Sequence, residues 1–456
     1  MRVVLLNTYD LGRQPFGLAS PAAWLRREGV DVASIDLSRQ KLPVDEIAAA
    51  ALIAFYLPMH TATRLALPVI DRVRVLNGSA TICAYGLYAS LNEDLLRQHG
   101  VTIVLGPESE AELLSVAVGI ASGPSRNGVP PQSRVPGRAL PRLEFIQPDR
   151  AGLPSLDRYA SLQMPDGSRK VVGATDATRG CKHRCRHCPI VPVYDGQFRV
   201  VPVDVVLADI RAQVEQGAAH ISFGDPDFFN GPTHARRIIE ALHRELPHIT
   251  YDAIIKVEHL LAHRNLLPVL AATGCLFITS AVESVDDAVL AKLEKGHTRA
   301  DFIAASRACR DAGVTLVPTF VAFTPWTTID GYIELLTVVD DAGLAANVAP
   351  VQWSIRLLVT WASRLLELDD VKSLVGPFDT RTLTYPWVHS DPRVDVLQRQ
   401  VMELAGVKLV NVRKDAFAAV RELAYTARGV SKPLRAFDLI LPSRASIPYM
   451  NEPWYC

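Results

Sequence analysis

The chain has 456 residues, with 48 basic and 48 acidic side chains and a formal net charge of zero. Hydrophobic residues make up 49% and charged residues 21%, a globular balance that excludes wholesale disorder. Neutrality argues against a general polyanion or membrane-surface binder. The seven cysteines are irregularly spaced, a poor disulfide framework that suits a reducing compartment. The start, MRVVLLNTYD, carries no signal-peptide pattern. The longest apolar stretch, 48–57, is about half of a bilayer span. A cytoplasmic protein without membrane partner is expected.

The first 121 residues alternate strand and helix patterns. Short apolar runs at 3–6, 30–35, 52–57, 80–84 and 101–105 are separated by helical stretches such as 21–28, which Gly29 closes. That order predicts a parallel, doubly wound sheet of flavodoxin type, which binds ligands beyond its strand C-termini. Segment 122–170 reads as a linker, with five prolines between Ser122 and Pro141. Between Arg126 and Arg199, 13 basic residues face 6 acidic ones, a local excess of seven positive charges inside a neutral total.

Alternation resumes at 171. Candidate strands at 171–174, 220–223, 250–255, 276–281, 315–322 and 347–355 are divided by helices such as 203–216, 233–245, 286–293, 300–312 and 328–342. Six β/α units over 171–375 predict a partial barrel with its site at the strand C-termini. Residues 376–456 form a C-terminal extension with helices at 394–406 and 415–427 and the tail SIPYMNEPWYC.

The sharpest feature is ATRGCKHRCRHCP, in which Cys181, Cys185 and Cys188 follow the first barrel strand with spacing C-x3-C-x2-C. Three thiols on one loop suit one metal centre. They do not complete a tetrahedral zinc site unless His183 or His187 joins them, and they leave one iron of a [4Fe–4S] cluster open. Arg179, Lys182, Arg184 and Arg186 either form a solvated basic loop or balance the charge of a thiolate cluster.

This loop resembles the radical S-adenosylmethionine (SAM) superfamily, in which the three cysteines hold a [4Fe–4S] cluster whose open iron is chelated by SAM. The resemblance extends to other strand ends. Gly224, Asp225 and Asp227 in FGDPDF are similar to a second-strand motif that contacts the SAM amino group. Glu283 and Ser284, before the LEKGHTR block, are similar to a pair near the SAM ribose. The turn after strand five resembles the family pattern except that Phe323 and Thr327 replace its glycine and glutamate. Gln352 and Arg356 on the predicted sixth strand share one face. The arginine is a candidate for a carboxylate of SAM or substrate, or for a salt bridge within the barrel.

The first domain resembles a cobalamin-binding domain. The loop Asn7-Thr8-Tyr9-Asp10-Leu11-Gly12 lacks the histidine of cobalt-ligating D-x-H-x-x-G, and His60 and His99 do not restore it. Either cobalamin binds without that ligand or, the favoured alternative, the domain is a scaffold. The tail, ending at Cys456 after Asn-Glu-Pro, resembles a subgroup with Cys-Cys/selenocysteine-Ala-Glu-Pro ends. The layout is also similar to the radical SAM enzyme of arsinothricin biosynthesis. That likeness implies transfer of the 3-amino-3-carboxypropyl group of SAM to arsenite, with Cys456 and Cys275 as candidate arsenic ligands. The alternative is a cobalamin-dependent radical SAM methyltransferase, or another 5′-deoxyadenosyl-radical enzyme in natural-product biosynthesis. A small-molecule substrate, an electron donor such as flavodoxin or ferredoxin, and no nucleic-acid partner complete the expectation.

Overall fold

The computed structural model describes residues 1–122, 143–408, 413–430 and 447–451. The first five strands, β1 (Arg2–Asn7), β2 (Asp31–Asp36), β3 (Leu52–Tyr56), β4 (Thr81–Tyr85) and β5 (Ile103–Val104), form a parallel sheet in the order β2-β1-β3-β4-β5. This is the expected flavodoxin-type order. Both faces of the sheet are covered because the central residues of β1 and β3, 3–6 and 52–55, are apolar at successive pleat positions. Val4, Leu6, Ile53 and Phe55 enter one core and Val3, Leu5, Leu52 and Ala54 the other. The helix expected over 21–28 begins earlier, at Phe16, and carries Pro21 inside it.

The second sheet has the order β13-β12-β11-β10-β7-β6-β14. Its parallel part comprises β7 (Arg169–Thr175), β10 (His220–Phe223), β11 (Thr250–Ile254), β12 (Cys275–Glu283) and β13 (Thr315–Phe320), all but β7 leading directly into a helical segment. It curls into a half-barrel. Beyond β7, β6 (Ser161–Gln163) and β14 (Tyr449–Met450) add in antiparallel fashion. A small hairpin, β8 (Thr178–Gly180) with β9 (Phe198–Val200), stands off the end of β7.

The predicted sixth strand does not form. Pro350 opens a 3₁₀ turn over Pro350–Trp353, because proline sets the φ of a helical start and cannot donate to a ladder. Among the described residues, a single parallel bridge, Phe323 with Arg356, continues the sheet there. Arg356 and Gln352 therefore do not share a strand face.

The C-terminal region is bound into both domains. Phe417, Val420 and Ala424 of helix Arg413–Ala427 join the barrel core beside Trp353. Leu383 enters the core of the first domain, where the His60 ring meets the Thr382 carbonyl at 2.5 Å. Among the described residues, no helix is long and apolar enough to cross a membrane.

Candidate radical site and interdomain cavity

The three cysteines lie on the loop between β8 and β9, at the C-terminal edge of the half-barrel. Gly180 launches the loop at φ +78, where a Cβ would stand 2.3 Å from the Tyr194 ring and 2.6 Å from the Gln197 carbonyl. Only glycine tolerates both the backbone and the contact. Asn230 holds the loop from below. Its Oδ1 accepts from the Lys182 amide at 3.2 Å, and its Nδ2 donates to the Gly180 carbonyl at 3.2 Å.

Burial pushes the Cys181 thiol up to about 11 and the Cys188 thiol up to about 12. An ion that binds them must therefore displace their protons. Two buried cations oppose that cost, Lys256 at the end of β11 facing Cys181 and Lys295 facing Cys185 and Cys188. The arginines of the loop do less than their number suggested. Arg186 pairs with Glu294 at 2.6 Å and Arg184 with Asp195 at 3.2 Å. Arg179 turns away into the domain interface. Part of the local positive excess is thus met by acids from outside the stretch, Glu294 and Glu110.

The acids at the strand ends separate into different jobs. Glu283 ends β12 in the left-handed region at φ +67, a conformation that costs a non-glycine residue about 1–3 kcal/mol and clusters at functional sites. Its Oε1 lies 3.1 Å from His187 Nε2 and 3.3 Å from Lys295 Nζ. Burial raises its carboxyl, but Lys295 and His187 together outweigh burial and hold it at about 2. Glu283 is thereby tied to the cysteine loop through His187. Asp227 is fully buried and lies beside His183 and His259. There the two imidazoles hold its carboxyl at about 2 against burial. Asp225, also fully buried, accepts from the Ala177 amide at 3.0 Å and Thr178 Oγ1 at 2.6 Å. Burial and the nearby Asp176 push it up to about 7. Its bonds lock the strand that feeds the cysteine loop, so it is a positioning group.

The structure gives five of the expected site residues other places or partners. Cys275 begins β12, at the barrel end opposite the cysteine loop. It is 6% exposed, with its Sγ against the Phe277 carbonyl at 3.5 Å, and burial lifts its thiol well above the usual range. It is a core residue and cannot reach the site. Arg356 bonds Asp395 at 2.6 Å and stacks 3.4 Å over Trp387, which is the salt-bridge alternative and leaves no fork for a ligand. Gln352 accepts from the Phe320 amide at 3.0 Å, closing the end of β13. Ser284 accepts from the Asp286 amide at 3.1 Å, a turn bond. Gly224 lies not at the cysteines but in the wall of the interdomain cavity, with Asp176 against it. Cys456 lies outside the described residues.

That cavity, about 260 Å³, opens between the strand C-termini of the first sheet and β7. Asp10, Arg13, Tyr56, Tyr85, Asp176 and Arg179 line it. It matches the ligand position predicted for a doubly wound sheet, but a corrinoid does not fit its present shape. The volume falls below the ~300–1,000 Å³ of pockets for drug-sized ligands, no histidine lines it, and the Tyr56 ring lies against Gly17, within 2.4 Å of where a Cβ would stand. A buried ion pair also crosses the interface. Arg179 donates to Glu110 at 2.6 Å and to Ser20 Oγ at 3.1 Å. Arg150, from the predicted linker, forks onto Asp209 at 2.9 Å and reaches Gln14 at 3.0 Å.

Reading strand ends by family likeness passed over Lys256, Glu258, His259 and the role of His187. The available signal was the spacing of Lys256, Glu258 and His259 directly after a predicted strand end.

Comparison with known proteins agrees with this architecture. Residues 176–333 match the radical SAM superfamily. A curated relative, tRNA-2-methylthio-N(6)-dimethylallyladenosine synthase of Sorangium cellulosum (strain So ce56), is 26% identical over 283 residues, covering 55% of this chain and 52% of that protein. The chain spans about half the length of the curated relatives it matches. The fold is similar to the cobalamin-dependent SAM radical enzyme OxsB with aqua-cobalamin bound, with TM-score 0.67 and 15% identity over 93% of this chain and 73% of that one. It is also similar to the radical SAM methyltransferase TsrM of Kitasatospora setae with cobalamin and a [4Fe-4S] cluster bound. There the TM-score is 0.60 and the identity 15%, over 94% of this chain and 99% of that one.

Proposed function

We propose that this chain, whose residues 176–333 match the radical SAM superfamily behind a Rossmann-like domain, is an enzyme that cleaves SAM reductively and acts on a small molecule. The observation that carries the reading is the cysteine loop at the half-barrel edge, with two buried lysines near enough for their charge to favour its thiolates. Cys181, Cys185 and Cys188 would hold a [4Fe–4S] cluster, which when bound would supply the single electron that reductive cleavage of a sulfonium carbon–sulfur bond needs. The chain's own residues do the rest. Lys256 and Lys295 offset the thiolate charge in a dry environment, and Glu283, fixed in its ionised form, presents a buried acceptor for ribose hydroxyls or an ammonium. Zero net charge suits a small acceptor rather than a polyanion. The electron comes from an external flavodoxin- or ferredoxin-type donor.

Anaerobic reconstitution tests this reading. The wild-type protein develops a brown iron–sulfur absorption, and with dithionite it turns SAM over. The Cys181→Ala/Cys185→Ala/Cys188→Ala protein develops neither. The same chromophore in that variant defeats the proposal. The nucleoside product separates the chemistries, since 5′-deoxyadenosine marks adenosyl-radical cleavage and methylthioadenosine marks aminocarboxypropyl transfer.

A second, finer reading is cobalamin-dependent methyl transfer, supported by the likeness of nearly the whole chain to OxsB and TsrM. It requires the 260 Å³ cavity to open, and corrinoid co-purifying from cobalamin-fed cells is its test. Transfer to arsenite loses Cys275 and rests on Cys456 alone.

A further inference from the structure

We infer that the half-barrel carries a second metal centre, separate from the cysteine thiols, in which His183, Asp227 and His259 bind one divalent transition-metal ion. The three donors come from different parts of the chain. His183 sits between Cys181 and Cys185, Asp227 follows β10, and His259 lies on helix Val257–Ala262 after β11. Their donor atoms all lie within 4.8 Å of one another. Asp227 Oδ2 is 3.4 Å from His183 Nε2 and 2.6 Å from His259 Nδ1.

Two observations point to a ligand rather than to a hydrogen-bonded triad. First, Asp227 Oδ2, His183 Nε2 and His259 Nδ1 are all buried, and none has a hydrogen bond of acceptable direction. Asp227 is fully buried and His259 is 3% exposed. The contacts thus have hydrogen-bond length without hydrogen-bond direction, as donors facing a common point do. The ion-pair contacts between them offset only part of the cost of burying atoms that lack a directed hydrogen bond. Second, the set is pre-oriented in the manner of metal ligands. Asp227 Oδ1 is engaged by the Phe229 amide at 3.2 Å, which leaves Oδ2 to face the imidazoles. The second nitrogen of His183 lies 3.6 Å from Glu258, so a carboxylate stands on the outer side of the ring without a hydrogen bond to it.

The donor chemistry defines the class of ion. Two imidazoles and one carboxylate, with no thiolate, suit zinc or ferrous iron and leave at least one coordination position open. Ligands at 2.0–2.2 Å from a tetrahedral ion stand roughly 3.3 Å apart. The His183 contact already has that spacing, and His259 needs to withdraw by roughly 0.7 Å. An open position on such an ion, whose ligand His183 stands two residues from both Cys181 and Cys185, is a Lewis-acid site for a donor atom of the substrate.

Zinc is the probe. Reconstituted holoenzyme is equilibrated with zinc, desalted, analysed for metals and measured at the zinc absorption edge, which iron does not obscure. The expected result is about one zinc per chain with nitrogen and oxygen scatterers near 2.0–2.1 Å. His259→Gln should lower zinc affinity by at least about ten-fold while the iron–sulfur absorption stays intact. The inference is overturned by wild-type protein that retains no zinc, by sulfur scatterers near about 2.3 Å, or by a His259→Gln protein that binds zinc as the wild type does. The wild-type spectrum decides the matter even if that variant does not fold. Loss of the brown chromophore or of SAM cleavage would instead count against the radical SAM reading, so the two failures are distinguishable.

Discussion

Replacing Lys295 with methionine keeps most of the side-chain volume and deletes the buried cation 3.3 Å from Glu283. Lys295 is 3% exposed and Glu283 is 8% exposed, so the remaining carboxylate cannot recover its hydration. Breaking a buried pair by removing one partner costs about 3–5 kcal/mol. Linkage yields a similar figure. Glu283 falls from an ordinary 4.5 to about 2 on folding, worth about 3 kcal/mol at about 1.4 kcal/mol per pH unit. Because the folded value is depressed, that stabilisation is complete above pH 4.5 and disappears as pH falls toward 2. For a domain of about 150–250 residues each kcal/mol moves Tm by about 2–4 °C, so Lys295→Met should melt about 6–12 °C below wild type at pH 7. The assay is anaerobic calorimetry of the reconstituted protein, with Glu283→Gln and the double variant alongside. Once both charges are gone, the double variant should recover about 2 kcal/mol relative to the sum of the singles. A Lys295→Met protein within about 2 °C of wild type, or singles that add within about 0.5 kcal/mol, would refute the reasoning.

Other consequences follow from the same kind of argument. Asp225 has its carboxyl raised to about 7, so its contribution to stability is present below about 4 and is lost as pH rises through 7. Asp225→Asn, which forfeits about 1 kcal/mol of hydrogen bonding at low pH, should close that deficit above pH 8, as read from Tm against pH. Parallel Tm curves would contradict it. Arg179→Met leaves the buried Glu110 without its partner and removes one of the cations near Asp176. At about 3–5 kcal/mol, the domain interface should loosen, and amide exchange in helix Phe16–Arg27 should quicken while β11 and β12 stay protected. Adding Glu110→Gln should restore part of that protection, and unchanged exchange in Arg179→Met would show that the pair does not hold the interface.

Much of the molecule is legible locally. Apolar runs such as Val3–Leu6 cannot be solvated, and their spacing by helices with Gly stops dictates parallel crossovers, so the five-strand sheet and most barrel strands lie within a few residues of their predicted places. The cysteine loop is equally local, since three thiols in eight residues need no partner from elsewhere to be recognised. The sixth strand misleads because a β-branched run looks the same whether it pairs or, behind Pro350, turns. Arg356 and Cys275 mislead for a related reason. The alternation of a strand shows which residues share a face, not whether the face meets a ligand, Trp387 or the closed end of a barrel.

The sequence by itself determined two α/β domains and a cysteine loop at a strand end, because those follow from hydrophobic period and from covalent spacing. Only the tertiary structure decided which charges meet. It turned Arg179 away from the cysteines to Glu110, brought Lys256 and Lys295 to the thiols, and drew His183, Asp227 and His259 together over 76 positions of chain. Electrostatic energy depends on distance and burial in space, and neither quantity is written in the order of residues along the chain.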